Sequence, residues 1–154
     1  MIIRTAILND IENILSLGDQ IFEIHSKARP DRFKKKPVNY EYLKSIIEGN
    51  NKILFIAEDN NKVIGYCILC IYEIKNHPMF NDAININIED FCVDKNFRKK
   101  GVGKKLFENI KIYAKENNVQ YIELSVWEFN QNAIEFYKKM GMEIKLNIME
   151  YNCK

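Results

Sequence analysis

The stretch Val93-Asp94-Lys95-Asn96-Phe97-Arg98-Lys99-Lys100-Gly101-Val102-Gly103-Lys104-Lys105-Leu106 organises the reading of this chain. Before it, Ile84 to Val93 alternates apolar and polar residues as a half-buried strand does. After it, Val102, Leu106, Ile110 and Ala114 recur at helical spacing, which predicts a long helix from Gly101 to Asn117. A strand that enters a helix through a glycine-containing turn leaves free backbone N–H groups at the positive end of the helix dipole. Five of the eight residues from Arg98 to Lys105 are basic, which adds to the pull on an anion such as phosphate or pyrophosphate. The plain alternative is a solvated basic turn at a glycine-rich helix start. Spacing excludes two phosphate-binding patterns. A P-loop needs glycine where Arg98 stands and a hydroxyl residue where Lys105 stands, and a dinucleotide fingerprint needs a third glycine where Leu106 stands.

Outward from this stretch, the elements alternate without a repeat or a linker. Ile2 to Leu8 reads as a strand, followed by the cap residues Asn9 and Asp10 and a helix. Ile11, Ile14, Leu15, Ile21, Phe22 and His25 share that helix's apolar stripe. Ser26 to Pro37 is irregular, with a basic cluster of Arg32, Lys34, Lys35 and Lys36. A second helix spans Asn39 to Glu48, with Leu43, Ile46 and Ile47 inward and Gly49 as the stop. Lys52 to Glu58 and Lys62 to Ile74 form a hairpin through Asp59-Asn60-Asn61. Tyr121 to Val126 is a strand, Asn132 to Met140 a short helix, and Met142 to Tyr151 a closing strand. The expectation is one α+β domain over residues 1–154, built on a mixed sheet.

Composition narrows the function classes. The chain has 154 residues, 23 basic and 21 acidic side chains, and hence a net charge of +2, too weak a balance for a dedicated nucleic-acid binder. Its longest nearly apolar run, Val63 to Tyr72, falls far short of the roughly 20 residues that span a bilayer. The N-terminus Met1-Ile2-Ile3-Arg4-Thr5 lacks the pattern of a signal peptide, so a cytoplasmic location is expected. Cys67 and Cys70 form a C-x-x-C, but residues three apart on a strand point to opposite faces, so they read as ordinary thiols. With His25 and His77 the only histidines, no metal is expected.

Arg98-Lys99-Lys100-Gly101-Val102-Gly103 resembles the pyrophosphate-binding motif [Arg/Gln]-x-x-Gly-x-[Gly/Ala] of the GNAT superfamily of acyl-CoA-dependent N-acetyltransferases. Asn130-Gln131-Asn132-Ala133-Ile134-Glu135-Phe136-Tyr137-Lys138-Lys139-Met140-Gly141-Met142 resembles that family's second motif, at the family's usual separation. The resemblance implies a central, mostly antiparallel mixed sheet with a splayed pair of parallel strands and flanking helices. It implies that Arg98, Lys99, Lys100, Gly101, Val102, Gly103 and Lys104 hold the pyrophosphate of acetyl-CoA. It also implies that Phe91, Cys92 and Val93 run beside the pantetheine arm, and that Asn130, Ala133 and Tyr137 complete the cosubstrate site. The implied reaction is direct attack of a primary amine on the thioester in a ternary complex.

Such a transfer needs a neutral amine, and an alkyl ammonium costs roughly 4–5 kcal/mol to deprotonate at pH 7. Glu89 matches the family position at which several members carry a catalytic Glu. Strand alternation puts it with Phe91 and Val93 and turns Asp90 to the other face. A substrate-binding or solvent-facing role is the plain alternative for Glu89. Tyr137 would donate a proton to the departing thiolate, about 2 kcal/mol uphill on unperturbed values. Phe22 to Phe33 is the candidate acceptor wall, with His25, Trp127 and Tyr151 as further substrate contacts; core packing is the plain reading of His25 and Trp127.

The expected acceptor is a small-molecule amine. Competing readings are a CoA-binding regulatory domain without turnover, a transferase acting on a protein α-amine or lysine, and an RNA binder using the two basic clusters. Dimers are common in the family, so a homodimer is the expected assembly where one forms.

Overall fold

The computed structural model describes residues 1–33 and 39–153, so Lys34, Lys35 and Lys36 of the first basic cluster lie outside the described residues. Five strands, β1 (Ile2–Thr5), β2 (Lys52–Asp59), β3 (Lys62–Ile74), β4 (Ala83–Val93) and β5 (Tyr121–Leu124), form one sheet in the order β1-β2-β3-β4-β5. The first three pairings are antiparallel and β4 with β5 is parallel. The helices are α1 (Ile11–Ala28), α2 (Tyr40–Glu48), α3 (Val102–Glu116) and α4 (Gln131–Lys139).

Local chemistry accounts for most of these boundaries. In the β2–β3 turn, Asn60 and Asn61 take φ of 48° and 60°, the left-handed pair that a two-residue hairpin loop requires and Asn tolerates. Asn39 caps α2, its side-chain oxygen accepting from the Tyr42 N–H at 2.9 Å. The first strand ends at Thr5, three residues short of the predicted Leu8, because Leu8–Asp10 forms a turn of 3-10 helix that leads into α1. Asp10 there accepts from the Ile7 N–H at 2.8 Å and takes a forked pair of bonds from Arg4, at 2.7 and 2.9 Å. Arg4 also reaches Glu58 on β2, so one guanidinium ties the chain start to the sheet.

The sheet carries a core on each side. Ile11, Ile14 and Leu17 of α1 and Leu43 and Ile46 of α2 pack on Leu54, Ile56, Tyr66, Ile68 and Cys92. Val102, Leu106, Phe107 and Ile110 of α3 pack on Cys67, Leu69, Ile86 and Ile88. Each such side chain contributes about 1.5–3 kcal/mol on full burial.

The expected closing strand from Met142 to Tyr151 is not formed. Ile144, Leu146 and Ile148 alternate as a strand would, yet they are 67%, 63% and 84% exposed and the segment pairs with no strand among the described residues. Ion pairs hold it instead: Lys145 to Glu123 on β5, and Glu150 to Arg29 and Arg32 beyond α1. Alternation specifies which residues could share a face, whereas a ladder also needs an edge brought into register.

Candidate active site

The turn between β4 and α3 is held by its own side chains. Asp94 accepts from the Asn96 N–H at 2.8 Å, and Arg98 Nε donates to the Val93 carbonyl at 3.1 Å. Arg98 therefore closes the loop, a use of the side chain that motif matching alone does not reveal. Lys99 and Gly101 take φ of 60° and 85°, and this double left-handed turn points the chain into α3. The first bond across the helix start runs from Lys105 N–H to Gly101 O at 3.0 Å, which leaves the N–H groups of Val102, Gly103 and Lys104 at the dipole's positive end. The side chain of Val102 is buried in the core, so only its backbone can serve a ligand. Lys99, Lys100 and Lys104 are exposed around the turn, and Lys62 and Lys100 both lie over the Phe97 ring, at 5.4 and 5.2 Å. A Cβ on Gly103 would come within 3.2 Å of the Phe136 ring, so the bare backbone lets α4 close against the first turn of α3.

Beside this turn the sheet parts. β4 pairs with β5 from Asn85↔Tyr121 to Ile88↔Leu124, after which β5 ends and β4 continues through Glu89 to Val93 against β3 alone. Phe91 faces the resulting gap with α4, its ring 5.6 Å from Phe136 and 6.0 Å from Tyr137. Tyr137 is largely buried; burial first, and then the charge of Asp90, lifts its phenol well above the ordinary range. It therefore stays protonated at neutral pH. Asn130 caps α4, its side-chain oxygen accepting from the Ala133 N–H at 3.3 Å, which puts both residues at the helix entrance. Cys92 is buried on the opposite side of the sheet, its thiol on the Leu17 carbonyl at 3.3 Å and pushed up to about 12 by burial. Like Val102, it offers only its backbone.

The carboxylates depart from the expected arrangement. Ile68 pairs with Asp90 while Leu69 pairs with Ile88, so Glu89 is an extra residue, a β-bulge. The bulge resets the alternation. Phe91 and Val93 remain with the α3 side, but Glu89 turns to Lys52 at 2.6 Å, and Lys52 in turn meets Tyr42 of α2. Asp90 accepts from the Tyr66 hydroxyl at 2.5 Å and from the Phe91 N–H at 2.9 Å. Glu89 thus does not share a face with Phe91 and Val93, and the two carboxylates lie together toward α1 and α2. Burial raises the Asp90 carboxyl above the ordinary range, and the Glu89 charge adds to this against the lowering effect of the Tyr66 and Phe91 bonds.

Two expected acceptor contacts do come together. His25 lies 5.2 Å from Phe33 and 5.7 Å from Phe129, and Trp127 lies 5.6 Å from Phe33 and stacks on Phe129 at 5.8 Å. Arg29 sits over the Trp127 ring at 5.3 Å. Burial lowers the pKa of His25, so the neutral imidazole is favoured in this aromatic wall. Tyr151 does not join it and is 88% exposed. Phe129, Tyr66 and Lys52 were not singled out from the sequence. The Trp-x-Phe spacing at 127–129 is a local signal for the first, whereas the other two are brought in by cross-strand register.

Among the described residues no group of three or more His, Cys, Asp or Glu is placed to hold a metal ion, and no helix is long and apolar enough to cross a membrane. The model of the acetyltransferase (GNAT) family matches residues 18–142. An uncharacterised N-acetyltransferase of Methanocaldococcus jannaschii is 30% identical over 143 residues, which are 93% of this chain and 61% of that protein, so the chain spans under two thirds of that relative's length. The crystal structure of a mutant BH1408 protein from Bacillus halodurans superposes with a TM-score of 0.95 at 30% identity, covering 100% of both chains. An aminoglycoside N-acetyltransferase solved in complex with CoA has the same fold, with a TM-score of 0.75 at 16% identity, covering 99% of both chains.

Proposed function

The chain belongs to the GNAT acetyltransferase family, and on that premise we propose that it moves an acetyl group from acetyl-CoA to the primary amine of a small molecule. The observation that carries this reading is the left-handed Lys99–Gly101 turn feeding the free N–H groups of Val102, Gly103 and Lys104, directly beside the gap between β4 and β5. A glycine cradle shaped by backbone rather than side chains suits a pyrophosphate, which needs close approach and several N–H donors. The surrounding Lys99, Lys100 and Lys104 supply diffuse positive charge, and Arg98 holds the loop's shape. The unpaired edge of β4 from Glu89 to Val93, with Asn130 and Ala133 opposite, is suited to the extended pantetheine arm.

Acetyl-CoA supplies an acyl group activated as a thioester; the rest falls to the chain. A carboxylate of the bulge, Glu89 or Asp90, takes a proton from the incoming ammonium. Tyr137 holds a proton for the departing sulfur. Backbone N–H groups near Cys92 and Val93 meet the negative charge that develops on the carbonyl oxygen. His25 and Trp127, with Phe33 and Phe129, form an apolar wall against which the body of the acceptor rests. The four free thiols, Cys67, Cys70, Cys92 and Cys153, suit a reducing cytoplasm. We also propose a homodimer, because the apolar side chains of the tail after Gly141 are exposed among the described residues.

Calorimetric titration with acetyl-CoA, followed by a thiol-release screen of amines, tests the reading. Micromolar binding that is lost in a folded Gly103→Glu variant, together with thiol release, supports it. Absence of binding by the wild-type protein overturns it. Binding without release by any amine favours the regulatory alternative.

A further inference from the structure

Deprotonating an acceptor ammonium calls for a carboxylate whose charge has not already been neutralised. Glu89 fails this requirement. Its Oε2 lies 2.6 Å from the Lys52 ammonium, which also contacts the Tyr42 hydroxyl at 3.3 Å and lies over the Tyr42 ring. Proton uptake by Glu89 would break a formed ion pair. Asp90 meets the requirement: among the described residues no lysine or arginine forms an ion pair with it. Its two bonds come from neutral donors, the Tyr66 hydroxyl on Oδ2 at 2.5 Å and the Phe91 N–H on Oδ1 at 2.9 Å. Such donors orient a carboxylate without cancelling its charge, and each oxygen keeps a further lone pair.

Its place in the fold suits the same task. The bulge at Glu89 puts Asp90 two residues past the last β4–β5 pair, Ile88↔Leu124, where the strands have parted and Phe91 meets Tyr137. Tyr66 is itself fixed. Its ring is buried in the α1–α2 core, and its hydroxyl lies under Gly18 of α1, where a Cβ would approach to 3.3 Å. The groups that bear on Asp90 are Tyr66 and Cys67 of β3, Glu89 and Cys92 of β4 and Tyr137 of α4, with Lys52 and Tyr42 behind Glu89. Of these, only Glu89 is a second carboxylate.

We propose that Asp90, oriented by Tyr66, is the base that takes the proton from the acceptor ammonium, and that the Glu89–Lys52 pair fixes the bulge that presents it. The assignment rests on the N-acetyltransferase reading above. In the balanced step, R–NH3+ gives one proton to the Asp90 carboxylate, leaving a neutral amine and a carboxylic acid. The nitrogen lone pair forms the C–N bond, the C–S bond breaks, and its electron pair stays on sulfur. Sulfur takes a proton from Tyr137, the nitrogen's surplus proton restores Tyr137, and Asp90 returns its proton to water as the product leaves.

The test compares Asp90→Asn, Glu89→Gln and Tyr66→Phe with wild type by thiol release over pH, alongside melting temperature and acetyl-CoA affinity. Asp90→Asn is expected to lower kcat roughly 100-fold or more at near wild-type affinity and melting temperature, and Glu89→Gln to lower it less than about 10-fold. Tyr66→Phe keeps the carboxylate but removes a bond that favours its ionised form, so the acid limb of kcat/KM should move to higher pH. A positioning role alone explains that shift; loss of packing does not. Turnover by Asp90→Asn within 10-fold of wild type, or an unmoved acid limb in Tyr66→Phe, overturns the assignment and leaves the transferase reading standing. If Asp90→Asn does not fold, the Tyr66→Phe profile decides. Absence of thiol release by wild type with every amine overturns both.

Discussion

Tyr137 packs its ring against Phe91, Phe107 and Phe136, and the proposed function gives its hydroxyl the proton for the departing sulfur. Because burial keeps the phenol protonated, its loss should be felt in turnover rather than in binding. Tyr137→Phe is expected to lower kcat roughly 100-fold with the acetyl-CoA Kd nearly unchanged, read by steady-state kinetics and calorimetry. Equal losses in both, or in neither, would remove the proton-donor role. His25 gives a second expectation at this scale. Burial lowers its pKa in the folded chain below the unfolded value near 6.5, so its neutral form stabilises the fold. That contribution is fully present above about pH 6.5 and is lost as pH falls through the depressed folded value. Melting temperature should drop across that window in wild type, and the slope should flatten in His25→Gln. An unchanged slope would place the acid sensitivity elsewhere.

At the scale of elements, two glycines separate the fold's requirement from the site's. A Cβ at Gly65 on β3 would sit 2.8 Å from the Cys92 carbonyl and 3.2 Å from Leu106, where α3 presses on the sheet. Gly65→Ala should cost about 1–3 kcal/mol in a denaturant midpoint while leaving acetyl-CoA affinity of the folded protein intact. Gly101 has open space around it but a φ of 85°, so Gly101→Ala should cost only about 1–2 kcal/mol and yet weaken acetyl-CoA binding by distorting the cradle. A reversed pattern would detach the turn from the cosubstrate. Much at this scale was legible: the Asn60-Asn61 turn, the start of α2 beside Asn39 and the apolar stripe of α3 follow from residues within a few positions of each other. The bulge at Glu89 was not. It arises from how β4 meets β3, and nothing between Asn87 and Phe91 marks which residue is left out of the ladder.

For the whole molecule the tail after Gly141 is the feature out of balance. Ile148, Met149 and Tyr151 are 84%, 92% and 88% exposed, although Lys145 and Glu150 anchor the same segment to β5 and to the end of α1. Apolar side chains held in place and left in water favour a covering partner, and a second copy is always at hand. Light scattering should find a dimer in wild type and a smaller species in Ile148→Lys/Met149→Lys. A monomeric wild type at tens of micromolar would count against the dimer.

By itself the sequence determined the parts whose causes are local. These are the hairpin, the helix spans, the glycine turn that opens α3 and the second motif along α4, and hence the family. Only the tertiary structure decided that Glu89 pairs with Lys52 while Asp90 accepts from Tyr66, that Arg98 closes its own loop, that His25 and Trp127 share one wall while Tyr151 does not, and that the last apolar run pairs with no strand among the described residues. The reason is physical. Helix and turn preferences act over a few residues, whereas side-chain direction along a strand depends on register, and one extra residue in a ladder reverses it for everything that follows.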